Sequence, residues 1–319
     1  MGMSYTLRPY EDRDCDALLR LWEVALPLDA ITRDEFHRRV LLDRNFERAG
    51  LILAFEPDGK GPVGIVLCLV LRVPIWNVGL LPHRGYITAF GVCPKRRCMG
   101  MGAQLLGAAE EFFRARNRTE IVLAPYPPNY FVPGVDKERY TDGIKFLSAN
   151  GFAEYSEAIA MDAAIGRFEI APDIAEEEGV LAAQGIVVEL FTPARMVQFL
   201  EFMNAVMPGD WVEDVQRVLT DVTLDRASGD TVLIARDGEK IIGYCKFEGE
   251  HFGPFGVADS HQGKGIGTVL LARTIYQMRK RGIHNAFVLW TGERAARGVY
   301  GRLGFTVSRR FAVMKKKLA

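Results

Sequence analysis

Two segments of the chain combine glycines with basic residues in a spacing that can bind phosphate. They run from Val92 to Leu106 (VCPKRRCMGMGAQLL) and from Val257 to Leu271 (VADSHQGKGIGTVLL), and they align without a gap. Each pattern predicts a short strand, a glycine-rich turn and a helix. Because the free N–H groups of a helix's first turn lie at the positive end of its dipole, each segment predicts a site for the pyrophosphate of a nucleotide-like cofactor.

Two other phosphate-binding motifs fit these segments less well. A dinucleotide-binding turn has the spacing G-x-G-x-x-G near the start of a domain, whereas the second segment has G-x-G-x-G in mid-domain. A Walker loop requires G-x-x-x-x-G-K-S/T, which the sequence lacks.

The order V-x-x-x-x-(Q/R)-x-x-G-x-G resembles the coenzyme A loop of the GNAT acetyltransferases. Downstream of each loop a predicted helix ends in Gly-Phe, as GIKFLSANGF at Phe152 and as ARGVYGRLGF at Phe305. GNAT chains carry a similar F/L-Y-x-x-x-G-F segment. Since loop and helix occur in order twice, the chain resembles a tandem GNAT protein. The resemblance implies an α/β (α+β) mixed sheet in each of two acyl-CoA acyltransferase folds joined by a linker helix.

The predicted elements place the division between the two copies near residue 170. The segment APDIAEEEGVLAAQG predicts the linker helix, with Pro172 in its first turn and Gly185 at its end. We therefore expect an N-terminal domain over residues 1–169, and over residues 170–319 the linker helix with a C-terminal domain. Predicted helices lie near 14–26, 33–42 and 193–206. Two insertions distinguish the first copy, at residues 72–85 and 126–140; the second is either a cleft lining or a rigid loop that buries its own aromatic residues.

The resemblance implies acetyl-CoA as co-substrate and no metal. It places the primary cofactor site in the C-terminal copy, where the backbone near Val257 pairs with the pantetheine arm. The residues that surround the pyrophosphate are Gln262, Gly263, Lys264, Gly265, Ile266, Gly267 and Thr268. The N-terminal copy offers the equivalent residues Val92, Arg97, Gly100, Gly102 and Ala103. Cys98 replaces a glycine there and leaves less room, so cofactor binding by that copy stays open.

Acetyl transfer to an amine needs a neutral amine, a polarised carbonyl and a proton for the departing thiolate. The resemblance implies that Tyr300 donates that proton, because it occupies the tyrosine position of the motif. Family members often use a carboxylate six residues before the position of Val257, where this chain has His251. A neutral imidazole can accept a proton at cellular pH. Strand alternation puts His251 on the same side as Phe255 unless a bulge intervenes; Glu248, Glu250 or an ordered water are the alternative bases.

The first copy has Tyr86 and Leu147 at these two positions, so we expect it to be non-catalytic. We also note that Glu293 stands where family members often place an asparagine that contacts the pantetheine arm.

The preferred function is N-acetyl transfer to a primary amine of a small molecule or peptide by direct attack in a ternary complex. The alternatives are a non-catalytic acyl-CoA binding or sensing module, aminoacyl transfer from a charged RNA, and the mycothiol synthase activity found in another tandem GNAT protein.

Composition narrows the classes of partner. Forty basic residues balance forty acidic ones over 319 residues, which argues against nucleic acid or an anionic membrane as partner. Five cysteines without C-x-x-C spacing argue against a disulfide framework or a zinc site. The charged N-terminal segment lacks a signal peptide's apolar core, and the apolar run at 65–70 is too short to span a bilayer, so we expect a cytoplasmic protein. It could be a monomer or a homodimer, because tandem copies can mimic a dimer within one chain.

Overall fold

A computed structural model describes residues 5–57, 59, 61–127 and 129–318. The chain forms two compact units. The first contains Met1–Pro74, Val78–Glu157 and Phe311–Ala319, and the second contains Ile75–Asn77 and Ala158–Arg310. The predicted boundary lies near residue 170. In the structure, residues 75–77 and 158–169 belong to the second unit and residues 311–319 belong to the first.

The first unit is a mixed sheet with helices. Its sheet has the strand order β1-β2-β3-β4-β5-β13, in which β4 and β5 are parallel and the other neighbours are antiparallel. Helix α3 packs against this sheet through the fully buried Leu105 and Phe113. Its elements are β1 (Thr6–Pro9), α1 (Cys15–Ala25), α2 (Arg33–Phe36), β2 (Leu51–Phe55), β3 (Pro62–Leu69), β4 (Arg84–Val92), α3 (Met101–Arg114), β5 (Glu120–Leu123), β6 (Val135–Asp136), α4 (Thr141–Ala149) and the start of β7 (Ala153–Ala164).

The second unit repeats this arrangement, with the strand order β8-β9-β10-β11-β12-β7 and a parallel pair formed by β11 and β12. The repeat confirms the predicted fold class. Its elements are α5 (Pro172–Ala183), β8 (Ile186–Leu190), α6 (Met196–Val206), α7 (Gly209–Thr223), β9 (Val232–Asp237), β10 (Lys240–Glu248), β11 (His251–Val257), α8 (Ile266–Lys280), β12 (Asn285–Thr291), α9 (Glu293–Ala295) and the start of β13 (Thr306–Lys317).

The closing strands explain why the predicted domain boundary differs. The first unit's sheet ends with β13, whose residues 314–317 pair with β5 and whose residues 311–312 pair with β6. The second unit's sheet ends with the 159–164 part of β7, which pairs with β12. Each strand has 12 residues, which is long enough to contribute to both units. Apolar alternation predicts a strand, but it does not specify the sheet that the strand joins.

The sheet of the second unit is covered on both faces. Leu233 and Ala235 of β9 pack in the core that contains α5 and α8, whereas Val232 and Ile234 pack in the core that contains α6 and α7. Because successive residues of a strand point to opposite faces, the two cores lie on opposite sides of the sheet. Among the described helices, none is long and apolar enough to cross a membrane.

Helix α7 is an element that we did not predict. It is amphipathic, with buried Val212, Val215, Val218 and Leu219 at helical spacing. The Pro208-Gly209 pair at its start predicts an interruption of helical structure, and valine and threonine have modest helix propensity. Burial of one face against the sheet therefore stabilises a helix that local preference alone would not indicate.

Candidate functional site

The second glycine loop has the backbone of an anion-binding turn. Gly263 and Gly265 adopt left-handed conformations, with φ of 77° and 83°, and Gly265 is the N-cap of α8. The side chain of Gln262 turns inward, where Nε2 donates to the Val257 carbonyl at 3.2 Å and to Asp259 Oδ1 at 2.8 Å. Gln262 therefore closes the loop onto the end of β11, which leaves the backbone amides as the groups that face an anion.

The first loop repeats this conformation residue by residue. Cys98 and Gly100 have φ of 60° and 82°, matching Gly263 and Gly265. Arg97 Nε donates to the Val92 carbonyl at 3.2 Å, as the glutamine does in the second copy. The Cys98 side chain is exposed. The non-glycine residue thus preserves the turn, at the modest cost of a left-handed φ.

Aromatic side chains limit the space beside each loop. A Cβ at Gly102 would lie 3.2 Å from the ring of Phe146, which stacks on Phe90 at 5.8 Å. In the second copy a Cβ at Gly267 would lie 3.3 Å from Phe255. Of the other predicted cofactor residues, Lys264 and Ala103 are exposed and Thr268 is half-buried. The side chain of Ile266 is buried, so Ile266 can offer only its backbone amide.

The strands that precede the loops separate from their parallel neighbours. β11 pairs with β12 where His251 lies opposite Phe287, six residues before Val257. In the first unit β4 pairs with β5 from Arg84 to Ile87, and β4 then continues to Val92. A gap beside the end of each strand leaves backbone groups free to pair with an extended ligand.

Tyr300 lies beside β11 in the second unit. Its ring packs against Phe252 and Phe255 of β11 at centroid distances of 5.7 and 6.4 Å. The side chain of Thr291, at the end of β12, acts on the phenol by lowering its pKa, but less than burial raises it. The side chain is only 5% exposed, and this burial raises the pKa of the phenol well above its usual value. Tyr300 is protonated at neutral pH, as an exposed tyrosine also is, and burial makes its phenol a weaker acid.

A bulge in β11 changes the side to which His251 points. Cys245 pairs with Phe255, but Phe247 pairs with Phe252, so β11 has one extra residue at Gly253–Pro254. Phe252 and Phe255 consequently share the side of Tyr300, and His251 lies on the other side, with its ring 5.1 Å from Phe287. The prediction that His251 lies on the same side as Phe255 is therefore wrong, because a bulge does intervene.

The two glutamates near this strand differ in their surroundings. Burial alone would raise the pKa of Glu248, but hydrogen bonds from Arg217 and Lys246 outweigh it and lower the pKa to about 2. A carboxylate this weakly basic cannot deprotonate an amine efficiently, which removes Glu248 as a base. Glu250 is exposed and accepts a hydrogen bond from Asn285 at 3.1 Å.

Helix α7 brings residues to the site that the sequence did not indicate. Met207 and Trp211 pack against Gly256, where a Cβ would lie 2.9 Å from the methionine sulfur. Tyr244 pairs with Gly256 across the strands, and its buried hydroxyl has no hydrogen-bond partner in the described part of the protein. Burial raises the pKa of Asp210 at the start of α7. Polar groups thus gather on the side of β11 that faces away from Tyr300.

The two insertions also have defined positions. Ile75–Asn77 of the first insertion belong to the second unit, where a Cβ at Gly209 would lie 1.7 Å from the Trp76 carbonyl oxygen. In the second insertion, Tyr126 is fully buried and donates to Asp43 Oδ1 at 2.8 Å. This burial favours the rigid-loop interpretation of the second insertion.

The first unit has different groups at the positions of the proton-transfer residues. Leu147, which matches Tyr300, is buried in the core. Tyr86, which matches His251, is also buried, packs against Tyr126 at 5.4 Å, and has a raised pKa because of that burial. Among the described residues of both units, no group of three or more His, Cys, Asp or Glu side chains could hold a metal.

Comparison with known proteins supports the resemblance seen in the motifs. Residues 16–131 and 196–305, more than two thirds of the chain, match the acetyltransferase (GNAT) family. A search of curated protein sequences found no match.

Several solved structures share the fold over nearly the whole chain at low identity. A GCN5-related glucosamine N-acetyltransferase region of a fungal multi-domain GH3 β-N-acetylglucosaminidase has a TM-score of 0.81 at 18% identity; it covers 99% of this chain, which spans only 38% of that protein. A GCN5-related N-acetyltransferase from Sphaerobacter thermophilus has a TM-score of 0.73 at 19% identity, covering 98% and 95% of the two chains. A tandem GNAT protein from the clavulanic acid biosynthesis pathway has a TM-score of 0.64 at 14% identity, covering 98% of each chain.

Proposed function

Because this chain belongs to the acetyltransferase (GNAT) family and is thus an acyltransferase, we propose that its second unit moves an acetyl group from acetyl-CoA to a primary amine. The acceptor is a small molecule or a peptide, and attack is direct within a ternary complex. The observation that carries the proposal is the buried phenol of Tyr300, whose ring packs against Phe252 and Phe255 of β11 beside the gap that leads to the glycine loop. We place this activity in the cytoplasm.

The second loop holds the diphosphate of the cofactor through its backbone. Gly263 and Gly265 are left-handed, as in turns whose successive amides bind an anion, and the first turn of α8 follows directly. Lys264 adds positive charge at the surface, and the free edge of β11 at Val257 pairs with the pantetheine arm. Bound acetyl-CoA supplies an activated thioester carbonyl. The matching first loop, from Arg97 to Ala103, either holds a second cofactor molecule in a structural role or forms one wall of the substrate cleft.

Tyr300 protonates the leaving sulfur on one side of β11. A tyrosine phenol is neutral at pH 7, so its hydroxyl can donate to the sulfur as negative charge develops there. Leu147 cannot donate a proton, so the first unit does not catalyse this reaction.

The amine reaches the thioester from the other side of β11. His251 accepts its proton there, and Glu250 is the second candidate base. An alkylammonium with a pKa near 10.4 costs about 4–5 kcal/mol to deprotonate at pH 7, so a base has a clear role. Asp210 and Tyr244 offer acceptor groups to a polar substrate on this side.

The deep burial of Tyr300 also supports a second candidate function, a non-catalytic acyl-CoA binding or sensing module. Release of the CoA thiol distinguishes the two. We would incubate the protein with acetyl-CoA and a panel of amines: glucosamine, a polyamine, an aminoglycoside and a peptide with a free N-terminus. We expect thiol release with at least one amine and a matching mass increase of 42 Da in that amine, the mass of the added acetyl group less the hydrogen it replaces. CoA binding without release across the panel would favour the sensing module.

A further inference from the structure

An acidic side chain of the linker helix lies against the second glycine loop. A Cβ at Gly265 would be 2.3 Å from Glu177 Oε1. The carboxylate oxygen is therefore within about 4 Å of the Gly265 Cα atom, given a Cα–Cβ bond of about 1.5 Å. Glu177 belongs to α5 and Gly265 is the N-cap of α8, so a negative charge of the protein sits beside the amides that would hold the diphosphate.

One arginine neutralises this carboxylate. Arg302 Nη1 lies 3.0 Å from Glu177 Oε2, and Arg302 Nη2 lies 2.7 Å from Asp173 Oδ2, one helical turn earlier on α5. Arg302 follows Tyr300 by two residues, which links α5 to the segment that carries the proton donor. A second ion pair, from Arg273 of α8 to Glu178, and the buried Ile174 and Leu181 fix α5 in place.

The arrangement has an electrostatic consequence for an anionic ligand. The Debye length at physiological ionic strength is about 8 Å, so a diphosphate on the loop would feel the charge of Glu177 with little screening. Repulsion weakens binding, and the ion pair with Arg302 offsets that repulsion as long as it persists. Glu177 and Arg302 have opposite effects on the same ligand although neither needs to touch it.

We propose that Glu177 and Arg302 together set the affinity of the second loop for the diphosphate of acyl-CoA, with Glu177 opposing binding and Arg302 favouring it. The inference rests on the proposed function, because it takes the second loop to be a cofactor site. Both residues act through the local potential and are positioning residues rather than catalytic ones.

Titration calorimetry with CoA on the full chain tests this inference. All variants would carry Cys98→Glu, which places a carboxylate at an exposed position of the first loop and so restricts binding to the second. We expect Glu177→Gln to lower the Kd for CoA about tenfold at low salt and Arg302→Met to raise it about tenfold. The double variant should bind like the parent, and all differences should shrink at high salt.

The matched control is Glu176→Gln, an exposed glutamate on the same helix with the same change in charge. Its Kd should stay at the parent value. Equal affinities for Glu177→Gln and Glu176→Gln would overturn the inference and leave the proposed function standing. Absence of CoA binding in the parent and in Glu177→Gln alike would overturn the proposed function and the inference with it. Thermal unfolding of each variant verifies that it is folded.

Discussion

His251 and Tyr300 lie on opposite sides of β11, and that separation suits the two proton transfers of the proposed reaction. The proton lost by the amine and the proton gained by the sulfur belong to groups that approach the carbonyl from different directions. The extra residue of β11 between Phe252 and Phe255 produces this separation. The bulge therefore has a direct consequence for chemistry.

Replacing His251 with phenylalanine tests its role as a base. Phenylalanine keeps the aromatic contact with Phe287 but cannot accept a proton. We expect kcat/KM for the amine to fall about 100-fold at pH 7. The deficit should narrow toward pH 9, because a larger fraction of the amine is then already neutral. A deficit that stays constant over this pH range in steady-state assays would assign His251 a packing role.

Asp210 offers a test of the acceptor side. Asp210→Asn removes a partly buried charge without changing the side chain's size, and we expect the KM for the amine to rise about tenfold. The Kd for CoA should not change, because α7 packs on the face of the sheet opposite α8, the helix that follows the cofactor loop. The control is Asp225→Asn, an exposed residue after the end of α7 whose left-handed conformation asparagine tolerates. A rise in Kd for CoA with no change in KM would contradict the placement.

At the scale of elements, the glycines of the second loop have separable roles. Gly263 and Gly265 share a left-handed φ, so alanine at either costs about 1 kcal/mol. Only at Gly265 would the new Cβ also collide, with Glu177. We expect Gly265→Ala to lower the free energy of unfolding by about 1–3 kcal/mol more than Gly263→Ala does. Urea denaturation measures the difference; equal losses would show that Glu177 moves aside freely.

The loops and the Gly-Phe helices could be predicted from the sequence because their function depends on local backbone geometry. A left-handed backbone conformation favours glycine in the sequence, and a cluster of backbone amides requires a fixed spacing between those glycines. The extra residue of β11 and helix α7 could not be predicted in the same way. The bulge depends on pairing with β10, and α7 depends on packing against the sheet, so both are set by contacts distant in sequence.

At the scale of the whole molecule, each unit is completed by a strand that follows the Gly-Phe helix of the other copy. Residues 314–317 pair with β5 and residues 311–312 with β6 of the first unit, and residues 159–164 pair with β12 of the second. The alternation of apolar and polar residues in β7 and β13 predicts two strands. It does not specify which of the two sheets each strand joins. The division into two copies was therefore predictable, and the exact chain segments of each unit were not.

Deleting residues 311–319 tests this assignment. The deletion removes the closing strand of the first unit, so we expect the amides of β5, at Glu120–Leu123, to lose protection from hydrogen exchange. The amides of β12, at Asn285–Thr291, should remain protected because their partner strand is retained. Hydrogen exchange followed by mass spectrometry reads both segments in one sample. Loss of protection at β12 with retention at β5 would reverse the assignment.

The most direct test of the proposed mechanism is the Tyr300→Phe variant, assayed with acetyl-CoA and the amine that the panel identifies. Phenylalanine keeps the packing against Phe252 and Phe255 and removes only the hydroxyl. We predict that single-turnover acetyl transfer slows about 100-fold while the Kd for acetyl-CoA stays unchanged. An unchanged transfer rate would contradict the claim that the second unit protonates the leaving thiolate through this phenol.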